Sequence, residues 1–319
     1  MTAPASTHAA IPKPPAIELD AVSKYYGSVH AVEAITLRVD AGQIFGLIGH
    51  NGAGKSTLMK MMLGILPIGQ GHIRLNGHAV GRAGFRGLRR QIGYLPENVA
   101  LYDHLSGLET MRFFARLKSV DASECAPLLE RVGLGAAMHR DVRGYSKGMR
   151  QRLGFAQALL GHPRLLFLDE PTNGLDPVAT HDFYTTLEQL RDDGTTVLLS
   201  SHLLAEIQTH VDQLAIIANG RLVAQGTVGD LSDRADLPSQ ARLALREAAI
   251  TPTLNALQEA AFAVQREEPN VLRVEVPVSR RRWMLQLMHG LADDLLDYEL
   301  QEPSLEDVYL HHQRCGGLA

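Results

Sequence analysis

The chain is poor in cysteine. Its 319 residues include two, Cys125 and Cys315, far apart and outside any C-x-x-C spacing. Such usage suits a reducing compartment. A dominant charge is also missing: 31 basic residues against 35 acidic leave a formal net charge of −4. That balance argues against a general nucleic-acid binder, and no nucleic-acid partner is expected. No apolar run reaches the roughly 18 residues needed to span a bilayer, so any membrane role requires a partner. Residues 1–14 are rich in Ala, Pro, Thr and Ser. They lack the basic start and apolar core of a secretory signal and read as a disordered tail. What remains is an ordinary globular composition, 45% hydrophobic and 21% charged, long enough for more than one domain.

The densest signal is Gly49-His50-Asn51-Gly52-Ala53-Gly54-Lys55-Ser56-Thr57. It fits G-x-x-x-x-G-K-[ST] and follows an apolar run, Gln43 to Ile48, that reads as a buried strand. The glycines let successive backbone N–H groups turn inward around a polyphosphate. Lys55 supplies a positive charge for β- and γ-phosphates, Ser56 a hydroxyl for Mg²⁺, and Thr57 a donor to a phosphate oxygen. The run Leu58–Leu66 reads as a helix whose positive end faces the anion. A second apolar strand, Leu165-Leu166-Phe167-Leu168, ends in Asp169-Glu170. A rigid strand would hold Asp169 near the metal shell and place Glu170 to polarise a water.

From Ile17 to about Gly226 short strands alternate with amphipathic helices, the pattern of a layered α/β domain. Strands are expected at Ile17–Val22, Thr36–Val39, His72–Leu75, Ile92–Leu95, Thr196–Ser200, Leu214–Ala218 and Arg221–Gln225. Helices are expected at Gly107–Lys118, Ser123–Val132 and Ser146–Leu160. The boundaries read as a domain over 15–230, a polar linker over 231–239 and an accessory domain over 240–319. In the last, strands at Ala241–Arg246, Ala263–Arg266, Val271–Val276 and Leu296–Leu300 alternate with helices at Pro252–Ala261 and Arg280–Leu291. That order is the ferredoxin-like one. Ser304-x-x-Asp307 reads as a capping box for a final helix. His311, His312 and Cys315 bring metal-binding residue types together near the C-terminus, where a frayed polar helix end is the competing reading and no metal is assigned.

Between the two nucleotide motifs lies Tyr145-Ser146-Lys147-Gly148-Met149-Arg150-Gln151-Arg152, and Asp169-Glu170 runs on into Pro171-Thr172-Asn173-Gly174-Leu175-Asp176-Pro177. With the phosphate loop, these segments resemble the ATP-binding-cassette ATPases over residues 17–226. The resemblance implies a P-loop NTPase core with an antiparallel β subdomain and a helical subdomain, binding ATP and Mg²⁺. It implies that two copies pair head to tail. Ser146 and Gly148, at a helix N-terminus, would hold the γ-phosphate of the partner's ATP, and Asp176 would lie on the subunit interface. Glu170 would be the catalytic base and His202 the switch histidine on the γ-phosphate. Tyr26 would stack on adenine, with Tyr25 as the alternative. Mg²⁺ would sit at Ser56, Asp169 and Glu97.

Two departures stand out. Glu97 occupies the place of a usual glutamine, adding a negative charge beside the metal position. Lys147 and Met149 replace common Gly and Gln residues. The family also implies a membrane permease partner, docked near residues 98–120, and a peripheral place on the inner face of the cytoplasmic membrane. Phe113 and Phe114 could line that dock or fill the core. Gly93–Asn98, Phe113–Lys118, Tyr145–Leu153 and Pro303–Tyr309 carry a narrower resemblance, to the copper-linked Nos subunits of nitrous-oxide reductase maturation. It implies a periplasmic accessory protein and a copper or sulfur cargo. The alternative reading is the ATPase of a drug, lipid or peptide exporter, and a less favoured one is a non-transport regulator.

Overall fold

A computed structural model describes residues 14–82, 84–303 and 306–307. The expected N-terminal tail, the capping residue Ser304 and the His311, His312 and Cys315 cluster lie outside them. The chain divides into two compact units, with the boundary between Gln225 and Gly226.

The first unit begins β1 (Ile17–Tyr26), β2 (Val29–Val39), β3 (Ile44–Ile48), α1 (Lys55–Met62), β4 (Gln70–Leu75), β5 (His78–Ala79), α2 (Phe85–Leu88) and β6 (Ile92–Leu95). It continues α3 (Gly107–Lys118), α4 (Cys125–Arg131), α5 (Lys147–Leu159), β7 (Leu165–Asp169), α6 (Pro177–Asp192), β8 (Thr196–Ser201), α7 (Leu204–Ile207), β9 (Gln213–Ala218) and β10 (Arg221–Gly226). Two sheets result, in the orders β2-β1-β4-β5 and β10-β9-β3-β8-β7-β6. The first is antiparallel through β1, which pairs Ile17 with both Val39 and Leu75. The second is parallel at β9-β3, β3-β8, β8-β7 and β7-β6.

Every residue of β3, β7 and β8 is buried. Covering both faces of a parallel sheet demands such continuous runs. Phe45, Leu47, Leu58, Met59, Met62, Phe167 and Ile217 share one core with residues of the antiparallel sheet. Because β3 and β7 are rigid and close, the loops at their C-terminal ends converge.

Most expected elements appear within a few residues of their expected bounds. α1 starts at Lys55 rather than Leu58, so the phosphate-loop lysine is already helical. α6, 16 residues long, was not expected from the sequence; its buried Phe183, Tyr184, Leu187 and Leu190 have helical spacing that marks it in retrospect. Phe113 and Phe114 are half-buried, so neither is fully core.

The second unit runs α8 (Val228–Ala235), β11 (Ser239–Leu245), α9 (Glu247–Glu259), β12 (Ala263–Glu268), β13 (Val271–Val276), α10 (Arg281–Gly290) and β14 (Leu295–Gln301). Residues 231–239, expected as a linker, hold most of α8 instead; Thr227 and Asp230 close a capping box that starts this helix. The sheet order β12-β13-β11-β14 is antiparallel throughout. Two strand-helix-strand crossovers therefore interleave, each enclosing the middle strand of the other, which is the ferredoxin-like arrangement. α9 begins five residues before Pro252. Buried Ala249, Ile250, Thr253 and Leu257 on one stripe outweigh the hydrogen bond that proline removes. Leu243, Leu272, Val274 and Met284 fill this unit's own core.

Gly93 of β6 sets how closely α5 approaches the sheet. A Cβ there would lie 2.3 Å from the Ala158 carbonyl oxygen and 2.7 Å from Leu166 Cδ1. Gly93→Ala is expected to destabilise the protein by about 1–3 kcal/mol. A lowered urea midpoint with an unchanged slope will report it.

Candidate functional site

α1 is a helix without a side-chain cap. Its N-cap residue is Gly54, at φ = 106°, and no acidic residue stands in the first turn. The first N–H groups therefore remain for an external acceptor, at the positive end of the helix. Glycine is needed at Gly54 twice over, by its φ and because a Cβ would lie 2.3 Å from the Ala31 carbonyl oxygen. Gly49 is pressed equally hard: a Cβ there would lie 2.3 Å from the Ile217 carbonyl oxygen.

A cavity of about 760 Å³ opens over this loop. Asn51, Gly52, Ala53, Gly54, Lys55, Ser56 and Thr57 line it, joined by Glu97 and Glu170 from the β6 and β7 ends. Its size fits a small-molecule site. Gly49 supports the loop from behind, where its carbonyl oxygen accepts a 2.5 Å hydrogen bond from Lys55 Nζ.

The acidic side is held by a compact network. Asp169 Oδ1 accepts from Ser56 Oγ at 3.1 Å and from Ser200 Oγ at 2.7 Å. Ser200 Oγ accepts in turn from the Glu170 N–H at 3.0 Å. Glu170 lies in the left-handed region at φ = 50°, a conformation that costs a non-glycine residue energy and aims its side chain off the strand. One carboxylate oxygen, Oε2, is 2.7 Å from His202 Nδ1, which must donate to it. The other, Oε1, receives no aligned hydrogen bond, although Lys55 Nζ stands 3.3 Å away. The Lys55 and Glu170 side chains are only 6% and 8% exposed.

Tyr94 marks where the carboxylates converge: burial first, then Asp169 and Glu97, push its hydroxyl up to about 12. Ser56, Asp169 and Glu97 thus offer oxygen donors only, the set a hard divalent cation prefers. Among the described residues no cluster of three or more His, Cys, Asp or Glu could hold a metal alone. A cation bound through one or two carboxylates and substrate phosphates fits that arrangement.

Other expected residues stand elsewhere. Ser146 caps α5 by accepting from the Met149 N–H at 3.2 Å, and Asp176 caps α6 through Ala179 N–H at 2.9 Å. A Cβ on Gly148 would lie 2.8 Å from the Gly174 carbonyl oxygen, so the two motifs pack together. Ser146, Gly148 and Asp176 do not line the phosphate-loop cavity, and neither does Tyr26. Tyr26 is exposed, with Lys24 Nζ 5.4 Å from its ring centre.

The sequence reading missed Ser200, the buried Gln151, whose Nε2 donates to Pro171 O at 3.0 Å, and the cavity residues His30, His50 and Asn219. His50 could have been found, as it lies inside the phosphate-loop motif. Ser200 carries no local signal, because its role depends on β7 and β8 lying side by side.

A family model described as ABC transporter matches residues 32–173. The daunorubicin resistance ATP-binding protein DrrA3 of Streptomyces coeruleorubidus is 34% identical over 309 residues, covering 93% of this chain and 95% of that protein. The linearmycin resistance ATP-binding protein LnrL of Bacillus subtilis (strain 168) is 30% identical, covering 92% and 97%. A solved structure of the ATP-binding subunit of an ABC transporter is 34% identical with a TM-score of 0.64, over 68% of this chain and 92% of that one. The dimeric ADP- and Pi-bound cassette MJ0796 shares the fold at 20% identity, with a TM-score of 0.62 over 66% and 98%.

The chain belongs to the ATP-binding subunits of ABC transporters, ATPases coupled to transport. Within that family, two relatives that match along almost the whole chain, DrrA3 and LnrL, are drug-resistance ATP-binding proteins.

Ser200→Ala is expected to leave the buried Glu170 N–H unpaired and Asp169 short of a donor. Stability should fall by about 1–3 kcal/mol, with a loss of kcat larger than any change in KM. Thermal unfolding and steady-state ATPase assays check both.

Proposed function

We propose that the chain is the motor of an exporter for a drug-like or peptide-like amphiphile. The observation that carries this reading is the extent of the match to DrrA3 and LnrL, more than nine-tenths of this chain in each case. That extent takes in the second unit as well as the cassette. A shorter match, 36% identical over 66% of the chain, is the lantibiotic transport ATP-binding protein SrtF of Streptococcus pyogenes. The narrower likeness to copper-linked Nos subunits finds no support in these relatives.

ATP enters the 760 Å³ cavity with its phosphates on the α1 N-terminus. Lys55, in contact with the Gly49 carbonyl and Glu170, swings to the β- and γ-phosphates. Ser56, Asp169 and Glu97 would hold Mg²⁺, which would supply neutralisation of phosphate charge. Release of Lys55 leaves Glu170 with His202 alone, free to orient or deprotonate a water. His202 reaches the γ-phosphate through Nε2 in the form that carries a proton on both ring nitrogens.

Two copies close head to tail, each offering Ser146 and Gly148 to the other's nucleotide and Asp176 to the interface. The position of these residues outside the chain's own cavity supports that division of labour. Hydrolysis removes the γ-phosphate bridge and the pair reopens. A permease receives the motion, and through it the subunit sits at the inner face of the cytoplasmic membrane. Among the described residues no helix is long and apolar enough to cross a membrane. Tyr102, 52% exposed, meets Phe113 edge-on at 5.5 Å, and Leu117 beyond them is 66% exposed. This apolar surface lies in the segment expected to dock the permease.

Glu170→Gln should bind ATP, lower turnover by about 10²-fold or more, and sediment as a dimer when saturated with nucleotide. Monomers alone under those conditions would refute the paired mechanism. Deleting the chain should sensitise its host to amphiphilic antibiotics and leave the copper content of nitrous-oxide reductase unchanged. The opposite pattern returns the cargo assignment to copper-site assembly.

A further inference from the structure

The cavity lining also holds a histidine from the start of β2. His30 lines the cavity with Ser28, Val29 and Ala31. Its ring is held on two sides. Tyr25 packs edge-on at a centroid distance of 4.7 Å, and Glu33 Oε2 lies 3.3 Å from Nδ1. Glu33 is itself clamped by Arg221, which donates from Nε at 3.0 Å and from Nη2 at 2.7 Å. This fork keeps the Glu33 carboxyl below its usual range. An ionised carboxylate can only accept, so His30 Nδ1 carries the proton. Neutral imidazole then presents Nε2 as an acceptor, and Nε2 has no partner among the described residues.

The clamp also ties this part of the lining to the phosphate loop. Glu33 N–H donates to Gly220 O at 2.8 Å, and Gly220 N–H donates to Ala53 O at 3.0 Å. Asn219 and Gly220, both at positive φ, form the tight turn that carries Arg221 into place. The β9–β10 turn therefore spaces His30 from the loop that takes the phosphates.

Resting on the assignment of this cavity to the nucleotide, we propose that His30 Nε2 accepts a hydrogen bond from the nucleoside, with Glu33 and Arg221 as positioning residues. Two nucleoside donors suit it: the exocyclic amine of adenine, replaced by a carbonyl acceptor in guanine, and the ribose 2′-hydroxyl. Tyr26, exposed and outside the lining, does not supply that polar recognition.

Titration calorimetry of the full chain with ATP, GTP, 2′-deoxy-ATP and inorganic tripolyphosphate tests this. His30→Ala should weaken ATP about three- to tenfold, the worth of one hydrogen bond, and leave tripolyphosphate unchanged. It should spare GTP if the amine is the donor, or 2′-deoxy-ATP if the hydroxyl is. Arg221→Ala should weaken ATP by a smaller factor, and add nothing in the His30→Ala background. Unchanged ATP affinity in His30→Ala overturns the proposal, as does an equal loss across the three nucleotides. Lys55→Ala separates the two levels. If it abolishes ATP binding while His30→Ala has no effect, the cavity assignment stands and this role falls. If Lys55→Ala binds ATP normally, the assignment itself falls.

Discussion

The candidate site depends on a buried carboxylate held between two nitrogen groups, Lys55 Nζ and His202 Nδ1. Glu170 touches Lys55 through one oxygen and His202 through the other, in a pocket that nearly excludes water. Burying charge is expensive unless each group is paired. The contacts of Glu170 with Lys55 and His202 supply those partners, and the same groups are the ones proposed to act on ATP. A polyphosphate supplies a stronger partner for Lys55 than one carboxylate. In the mechanism proposed above, substrate binding changes the partners of Glu170 with no large rearrangement of the strands.

The framework that permits this is stiff. Asp169 ends a buried strand and Glu170 follows it, and Ser200 on the neighbouring strand hydrogen-bonds to both residues. The left-handed backbone at Glu170 turns its side chain away from the course that β7 would give it. On the other side, Gly49 and Gly54 let the loop pass within contact of the Ile217 and Ala31 carbonyls. The uncapped N–H groups of α1 and the carboxylates are thus positioned by independent parts of one core. That is how electrostatic preorganisation is maintained without substrate.

The second unit has its own sheet, helices and core. Along its sheet run ion pairs: Arg242 with Glu267 and Glu268, and Arg273 with Glu267. Pairs this exposed add little stability. In the cassette, Gln151 of α5 reaches the carbonyl of Pro171, one residue after Glu170. The helix that begins at Ser146 is thereby joined to the loop that leaves the catalytic strand.

Local sequence determined the chemistry-bearing parts. The phosphate loop, the strand ending in Asp169-Glu170 and the βαββαβ order of the second unit are contiguous patterns, because a strand, a tight turn or a helix cap is decided by neighbours in the chain. Only tertiary structure decided the rest. That His202 and Lys55 share Glu170, that Ser200 supports both carboxylates, and that His30 is held by a carboxylate clamped from Arg221 all join residues far apart in the chain. Spacing cannot encode such contacts. They arise because parallel strands bring distant C-terminal ends side by side, and buried polar groups must then find partners among whatever that alignment delivers.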